Sequence, residues 1–377
     1  MQFTVDKNVL ADAVAWTARS LPARPTAPVL AGLLMEATTN QVTLSGFDLE
    51  VSTQVTMKAD VESPGRALVS GRLLSDITRA LPSLPVIIEN DGARVSVTCG
   101  SSKFVLLTLP VQDYPSLPDM PTVTGKVEGA AFTSVVQQVT VAAGRDDTLP
   151  ALTGIRMEIE GDRLLLAATD RYRLAVGEVT WQPEGPAVSA TALIPARTLA
   201  ETARAMAGAE HVEIAFSARE GAVESLVGFA GDGRRTTTRL IDGEFPKYKA
   251  LFPDTTETTA TVEKSTLVDA VKRVALVAER NAPIRLNFST KGVLLEAGTG
   301  DEAQAVESLE AEVNGPDITI AFNPQYLVDG LGAVPGESVT ISFIEARKPA
   351  VITAAGESTT GSTSTYRYLL MPVRMAG

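Results

Sequence analysis

The residues able to do chemistry are few, and they are poorly placed to do it together. His211 is the only histidine of the 377-residue chain. It sits in a run that reads as a strand, with no neighbouring Ser or Cys motif, so a nucleophilic triad or a His-based metal site has no partners. Cys99 is the only cysteine, which excludes a disulfide framework and a multi-thiolate metal site. Its context reads as a strand position rather than a nucleophile. Asp146-Asp147 reads as an acidic loop or helix cap. Gly231-Asp232-Gly233 and Gly298-Thr299-Gly300 lack the third glycine and following helix of a phosphate loop and read as turns. Three similar segments without one distinctive polar cluster describe a scaffold rather than an enzyme. No cofactor and no metal is expected.

Two other patterns carry more. Arg72 and Arg79 are seven residues apart on a predicted helix, and Arg197 and Arg204 repeat that spacing at aligned positions, so each pair shares a helix face. Arg19 and Arg24 follow another helix, and Lys272, Arg273 and Arg280 lie on or after a third. Net charge is −12, with many acids in strand and turn regions. A basic helix face inside an acidic protein suits contact with phosphates that is independent of sequence and sensitive to salt. On charge alone, solvated helix faces with Asp76 and Glu201 nearby account for the pattern better. The second pattern is Tyr368-Leu369-Leu370-Met371-Pro372-Val373-Arg374, a β-favouring run stopped by a proline that cannot donate to a ladder. Leu369 and Leu370 suit a sheet, and Met371 to Arg374 a surface that meets a partner.

The elements that must hold these residues repeat. Val5-Asp6 with Leu10 and Ala13-Val14, Val127-Glu128 with Phe132 and Val135-Val136, and Val262-Glu263 with Leu267 and Ala270-Val271 share one spacing. Each reads as a strand end, an acidic first turn and an amphipathic helix. A second helix recurs at Ser70-Gly71-Arg72, at Pro195-Ala196-Arg197 and at Asn323-Pro324-Gln325, where Ser70, Pro195 and Asn323-Pro324 suit helix starts. Closing strands recur at Leu107 to Pro110, Arg239 to Asp242 and Tyr368 to Pro372. The chain is therefore α+β, with three copies of one domain over residues 1–120, 121–254 and 255–377. Pro, Thr and Asp cluster at the junctions. The Ser/Thr/Gly-rich run from Gly356 to Thr365 reads as a solvated hairpin loop. Hydrophobic residues make up 45% of the chain and aromatics 5%, which supports cores but not a base-stacking surface. The first residues lack the apolar core of a signal peptide and no apolar run approaches a membrane span, so a cytoplasmic location without membrane contact is expected.

Arg24-Pro25-Thr26-Ala27-Pro28-Val29-Leu30, Ala168-Thr169-Asp170-Arg171-Tyr172-Arg173-Leu174-Ala175 and the Tyr368 to Arg374 stretch together resemble the bacterial sliding clamp family, the beta subunits of DNA polymerase III. Phe245-Pro246-Lys247-Tyr248 and Phe322-Asn323 fit it too. The resemblance spans the whole chain. It implies a ring-shaped, head-to-tail homodimer of clamp domains around double-stranded DNA, with no catalytic site. Such a ring confers processivity on the replicative polymerase and is nucleoid-associated. It implies that Arg24, Arg72, Arg197, Arg204 and Lys249 touch DNA, and that Phe104 and Leu106 of one copy meet the region after Leu276 of the other. It further implies a pocket for linear peptide motifs of the polymerase alpha subunit, the clamp loader, repair polymerases, ligase or mismatch-repair proteins. One part would use Leu152, Thr169, Arg171, Tyr172, Arg173, Leu174, Pro246 and Leu251. The adjoining part would use Asn323, Tyr326, Leu369, Met371, Pro372, Val373 and Arg374. Arg171-Tyr172 depart from the small residue and His or Tyr frequent there, which makes a bulkier rim, and three residues follow Arg374. Without a DNA role, the same repeats would serve as a protein-interaction scaffold; a hydrolase with an unrecognised carboxylate site is the more distant reading.

Overall fold

Each predicted repeat starts the same way in the computed structural model, which describes all residues except 186–188, 217–225, 254, 280–281, 299–302, 357–363 and 375–377. The strand Gln2–Val5 runs into helix α1 (Lys7–Thr17), and Asp6 Oδ1 accepts from the Asn8 and Val9 amides at 2.8 and 3.1 Å. The strand Val123–Glu128 runs into helix α3 (Gly129–Thr140), where Glu128 accepts from the Ala130 amide at 3.1 Å. The strand Thr258–Glu263 runs into helix α5 (Lys264–Val274), where Glu263 gathers the Ser265 and Thr266 hydroxyls. Acids at these ends satisfy orphan donors and face the positive end of the helix dipole.

The second helices are α2 (Gly71–Ala80), α4 (Ala196–Ala205) and α6 (Pro324–Ala333). Ser70 caps α2 through the Leu73 amide. Asn323 caps α6 through the amides of Gln325 and Tyr326 at 2.9 and 3.2 Å, with Pro324 in the first turn. Helix α2 buries Leu74 and Ile77 and exposes Arg72, Leu73, Asp76 and Arg79 on its other side.

Each copy then supplies two kinds of hairpin. The first kind pairs Gln41–Phe47 with Val51–Lys58, Arg163–Thr169 with Arg173–Pro183, and Gly292–Ala297 with Ala305–Leu309. The second, closing kind pairs Arg94–Cys99 with Ser102–Leu109, Leu226–Gly231 with Arg234–Arg239, and Ala350–Ala354 with Ser364–Leu370. The turn of the middle closing hairpin is Gly231-Asp232-Gly233, with Asp232 and Gly233 at φ 51° and 72°, as expected of a tight turn.

Closing strands also join neighbouring copies. Arg234–Arg239 pairs antiparallel with Val51–Lys58 of the copy before it, and Ser364–Leu370 pairs with Arg173–Pro183 of the copy before that strand's own. By packing, residues 1–130 with 201–240 form one compact unit, and residues 131–200 with 241–377 form another. The first is filled by Phe3, Leu10, Val14, Leu33, Leu44 and Val97, and by Cys99, which is fully buried and donates to the Pro82 and Leu84 carbonyls. The second contains a cluster of Leu174, Val176, Leu193, Phe245, Tyr248 and Leu369. Gly298 is described, but Thr299-Gly300 and most of the Gly356 to Thr365 run lie outside the described residues. No helix among the described residues is long and apolar enough to cross a membrane.

Candidate functional site

The closing strand Ser364–Leu370 is held on both sides. Arg173 faces Leu370 and Leu174 faces Leu369 on one edge, while Ala350 and Val351 face the same two leucines on the other. Tyr366 and Tyr368 are buried, and their hydroxyls donate to the Gln138 and Tyr326 carbonyls at 3.1 and 2.8 Å. The Tyr368 ring lies so close to α6 that a Cβ on Gly330 would come within 2.2 Å of it. Only glycine lets ring and helix meet there.

Beyond Leu370 the chain is strapped through its backbone. The Met371 amide donates to the Tyr172 carbonyl at 2.9 Å, and the Val373 amide donates to the Ala321 carbonyl at 2.8 Å. Pro372, without an N–H, falls between them. Backbone donors are thus spent while the side chains of Met371 and Val373 remain 39% and 38% exposed. Tyr172 and Leu251 are further exposed apolar residues of this unit.

The turn that receives Met371 is built by its own side chains. Thr169 Oγ1 donates to the Arg173 carbonyl at 2.7 Å and accepts from the Arg171 amide at 3.2 Å. Asp170 Oδ1 accepts from the Tyr172 and Arg173 amides, each at 3.0 Å. These bonds hold Arg171 at φ 80°, a left-handed conformation that costs a residue with a Cβ about 1–2 kcal/mol. Arginine, not the small residue frequent in the resembling family, occupies this left-handed position.

Arg173 is the electrostatic centre. It is 5% exposed. Its Nε donates to Asp170 Oδ2 at 2.9 Å, its Nη1 donates to Asp329 Oδ2 at 2.7 Å, and its guanidinium lies 4.3 Å over the Tyr326 ring. Burial alone would lower its pKa; Tyr368 and the two carboxylates outweigh burial and raise it. Gln325 donates to the other oxygen of Asp329 at 2.7 Å. Tyr172 stacks on Tyr326 with centroids 6.3 Å apart. A cavity of about 790 Å³ opens beside this pair, lined by Leu149, Leu152, Arg145, Arg171, Tyr172, Arg173 and Tyr326 among others.

The structure corrects several expected roles. Thr169, Leu174 and Leu369 are buried and are not among the residues lining the 790 Å³ cavity. Leu152 and Arg173 are also buried but reach the cavity wall. Pro246 is exposed, as are Arg374 and the Asn323 neighbour Gln325. Lys249 is not a free cation: its Nζ lies 2.8 Å from Glu158 and 2.7 Å from Glu160, so its charge is already matched. Arg24, Arg72 and Arg204 are exposed with no ion pair among the described residues, and Arg197 is exposed on α4. Arg273 is paired with Glu307, which leaves Lys272 as the exposed cation on the matching helix; Arg280 lies outside the described residues. His211 is half-buried in the strand His211–Phe216, beside Glu210. Asp146 closes a loop turn onto the Thr148 amide and hydroxyl, as expected of a local cap.

At the strand edges, Phe104 is 38% exposed but Leu106 is 3% exposed, opposite Val95 in the core, so Leu106 cannot serve a contact between copies. Its strand neighbours Val105 and Leu107, at 55% and 73%, are the exposed ones. Leu276 is 83% exposed as expected, and Val306 on the strand Ala305–Leu309 adds 65%. Val306 went unrecognised because its strand is acidic; its alternation with Glu307 was the available signal. Asp329 and Gln325 were missed because nothing near them in sequence names their partner.

Residues 1–118, 126–247 and 249–374 match, in order, the N-terminal, central and C-terminal domains of the DNA polymerase III beta subunit. Over 377 residues, covering 100% of both chains, the sequence is 55% identical to the beta sliding clamp of Streptomyces coelicolor. The crystal structure of the DNA polymerase sliding clamp from Bacillus subtilis aligns over 100% of both chains with a TM-score of 0.89 and 25% identity. A sliding clamp from Pseudomonas aeruginosa bound to griselimycin aligns over 100% of both, with a TM-score of 0.90 and 26% identity.

Proposed function

The chain belongs to the bacterial DNA polymerase III beta subunit family and is a DNA sliding clamp, and from that premise we propose how it closes, what it touches and where it docks partners. The carrying observation is the periodic strand pairing. The closing strand of the second copy pairs with Val51–Lys58 of the first, and that of the third pairs with Arg173–Pro183 of the second. Two positions of the series are left over. The closing strand Ser102–Leu109 pairs with Arg94–Cys99 and, only at Thr108 and Leu109, with Gly65–Ser70. Ala305–Leu309, the counterpart of Val51–Lys58, has only Gly292–Ala297 beside it among the described residues. Continuing the series between two molecules joins these edges, with Phe104, Val105 and Leu107 meeting Val306 and Leu276. Open edges seek such partners, and head-to-tail contacts close into rings when the rotation permits.

In this reading three domains, over residues 1–120, 121–254 and 255–377, contribute to a homodimeric ring around duplex DNA in the cytoplasm, at the nucleoid. Arg24, Arg72, Arg197 and Arg204 meet phosphates weakly enough to slide. The ring holds the polymerase at the primer end by raising its effective concentration, and performs no catalysis itself. The surface of Leu152, Tyr172, Tyr326, Met371 and Val373, with Arg171, Pro246, Leu251, Asn323, Pro372 and Arg374 around it, takes peptide motifs from the polymerase alpha subunit, the clamp loader, repair polymerases, ligase and mismatch-repair proteins. Exposed methionine suits a surface serving several sequences. The griselimycin complex of the Pseudomonas relative supports ligand binding by this fold.

Protein loaded on nicked circular DNA should resist high-salt washing and be lost after linearisation. Equal retention on circle and line would sink the topological mechanism and favour a plain interaction scaffold. Deleting residues 371–377 should abolish binding of a polymerase-derived peptide while leaving the dimer intact; unchanged affinity would move the docking site elsewhere.

A further inference from the structure

The strand Gly154–Glu160 turns Ile155, Met157 and Ile159 into the core, so Arg156, Glu158 and Glu160 lie on the opposite, outward face. Glu158 is nevertheless 7% exposed. The cover is the segment Phe245 to Ala250, which with Arg156 and Glu158 encloses a cavity of about 310 Å³. This segment belongs to no strand and contains only the short turn Lys249–Leu251. Its apolar anchors are Phe245 and Tyr248, both buried against Leu174 and Leu369. Ile241 and Phe252, on either side of the segment, are partly buried against the same cluster, and the Arg367 guanidinium lies 4.4 Å over the Phe252 ring. Between these apolar anchors the segment is held by ion pairs. Lys249 Nζ bridges Glu158 and Glu160 at 2.8 and 2.7 Å, Arg156 Nε donates to Glu158 at 2.5 Å, and Arg163 reaches Glu160 at 3.2 Å. The Leu251 amide donates to the Tyr248 carbonyl at 3.0 Å, so the direction of Lys249 and that of Leu251 are set by one turn. Pro246 and Leu251 are exposed on the same segment, together with Lys247, Lys249 and Ala250.

We propose that Lys249, Glu158 and Glu160 are positioning residues of the peptide-docking site: their ion pairs fix the orientation of the 245–251 segment and so place Pro246 and Leu251 at the edge of that site. This rests on the docking reading above. It also gives Lys249 a task other than meeting DNA. A buried Glu158 with a matched charge is worth retaining only while Lys249 stays in place, because losing one partner leaves a desolvated carboxylate short of a counter-charge.

The test is equilibrium binding of a fluorescein-labelled peptide carrying the clamp-binding motif of a replicative polymerase, read by anisotropy. Lys249→Met keeps the apolar stem. At a temperature where both proteins are fully folded, it should weaken binding by roughly three- to tenfold, within the span of coupling between neighbours, and Lys249→Arg should restore affinity. The decisive arm is a double-mutant cycle: with Leu251→Ala already in place, Lys249→Met should cause a clearly smaller loss, the remainder acting through Pro246. Unchanged affinity in Lys249→Met overturns the proposal. So does an equal loss in the Leu251→Ala background, which would mean that Lys249 touches the peptide directly. If the wild-type protein fails to bind the peptide, the docking reading itself falls, and this proposal with it.

Discussion

Replacing Asp329 by asparagine removes one charge from the Arg173 centre while keeping its shape. The guanidinium is 5% exposed and meets Asp329 at 2.7 Å and Asp170 at 2.9 Å. Charges about 4 Å apart interact by about 4 kcal/mol at an effective dielectric of 20. Asp329 is 25% exposed, so part of that interaction is exchanged for hydration, and asparagine still offers Nη1 an acceptor. The net loss should be about 1–2 kcal/mol, below the 3–5 kcal/mol typical of stranding a fully buried partner. For a unit of this size that lowers the melting temperature by roughly 2–8 °C. Trp181, 2% exposed in the same unit, gives a fluorescence readout of its unfolding.

The sign of the coupling tests the reasoning more sharply than the size. With Arg173→Met already made, Asp329 becomes a carboxylate beside an apolar stem, and Asp329→Asn should then cost nothing or stabilise. If Asp329→Asn costs the same in both backgrounds, the two residues are not coupled and the network is only a packing feature. Arg173 also lies over the Tyr326 ring, against which Tyr172 stacks. Asp329→Asn should therefore weaken peptide binding as well, since the stack forms one wall of the cavity proposed to dock peptides.

Other outcomes follow from single contacts. Gly330→Ala drives a Cβ to 2.2 Å from the Tyr368 ring; it should destabilise by about 1–3 kcal/mol in thermal melts, and Tyr368→Leu should relieve part of the loss. In Glu158, burial acts to raise the pKa but bonds from Lys249 and Arg156 bring it below the usual carboxylate value, and the Lys249 bond does the same for Glu160. Folded values below unfolded ones mean that this stabilisation is present above about pH 4.5 and lost as pH falls through the lowered values. Any stability difference between wild type and Lys249→Met should accordingly shrink in acid melts; one that grows below pH 4.5 would contradict it. Arg72→Ala and Arg197→Ala should each reduce the slope of log affinity for duplex DNA against log salt by about one, the effect of losing one phosphate contact, and an unchanged slope would remove that residue from the DNA contact.

Much of the architecture was legible because its determinants are local. Asp6, Ser70 and Asn323 cap helices whose amides lie two or three residues away, so residue type and spacing suffice to place the helix starts. The repeat made each element visible three times. What stayed hidden depends on distant partners. Arg173 finds Asp329 across 156 positions, and Lys249 finds Glu160 across 89. No local pattern names either pair, so Lys249 read as an available cation and Asp329 as nothing in particular. Leu106 failed for a geometric reason. An edge strand still has two faces, and naming it an edge does not say which face meets the core.

The helix starts distinguish the third copy, where the proposed docking cavity lies, from the first two. Position two of α2 and α4 holds the exposed Arg72 and Arg197, and position three holds the exposed Leu73 and the half-buried Thr198. In α6 the same positions hold Gln325 and Tyr326, and position six, occupied by Asp76 and Glu201 in the other two, holds Asp329. These exchanges are coupled. Gln325 secures one oxygen of Asp329, Asp329 secures Arg173 with the other, and Arg173 lies over Tyr326. An arginine at position 325 would stand one turn from Asp329 and compete with Arg173 for its carboxylate. The helix face proposed to meet phosphate in the first two copies is, in the third, engaged with the Asp170–Arg173 turn. That turn also receives the Met371 amide, so the polar start of α6 and the strap that presents the Met371 side chain are held by the same four residues.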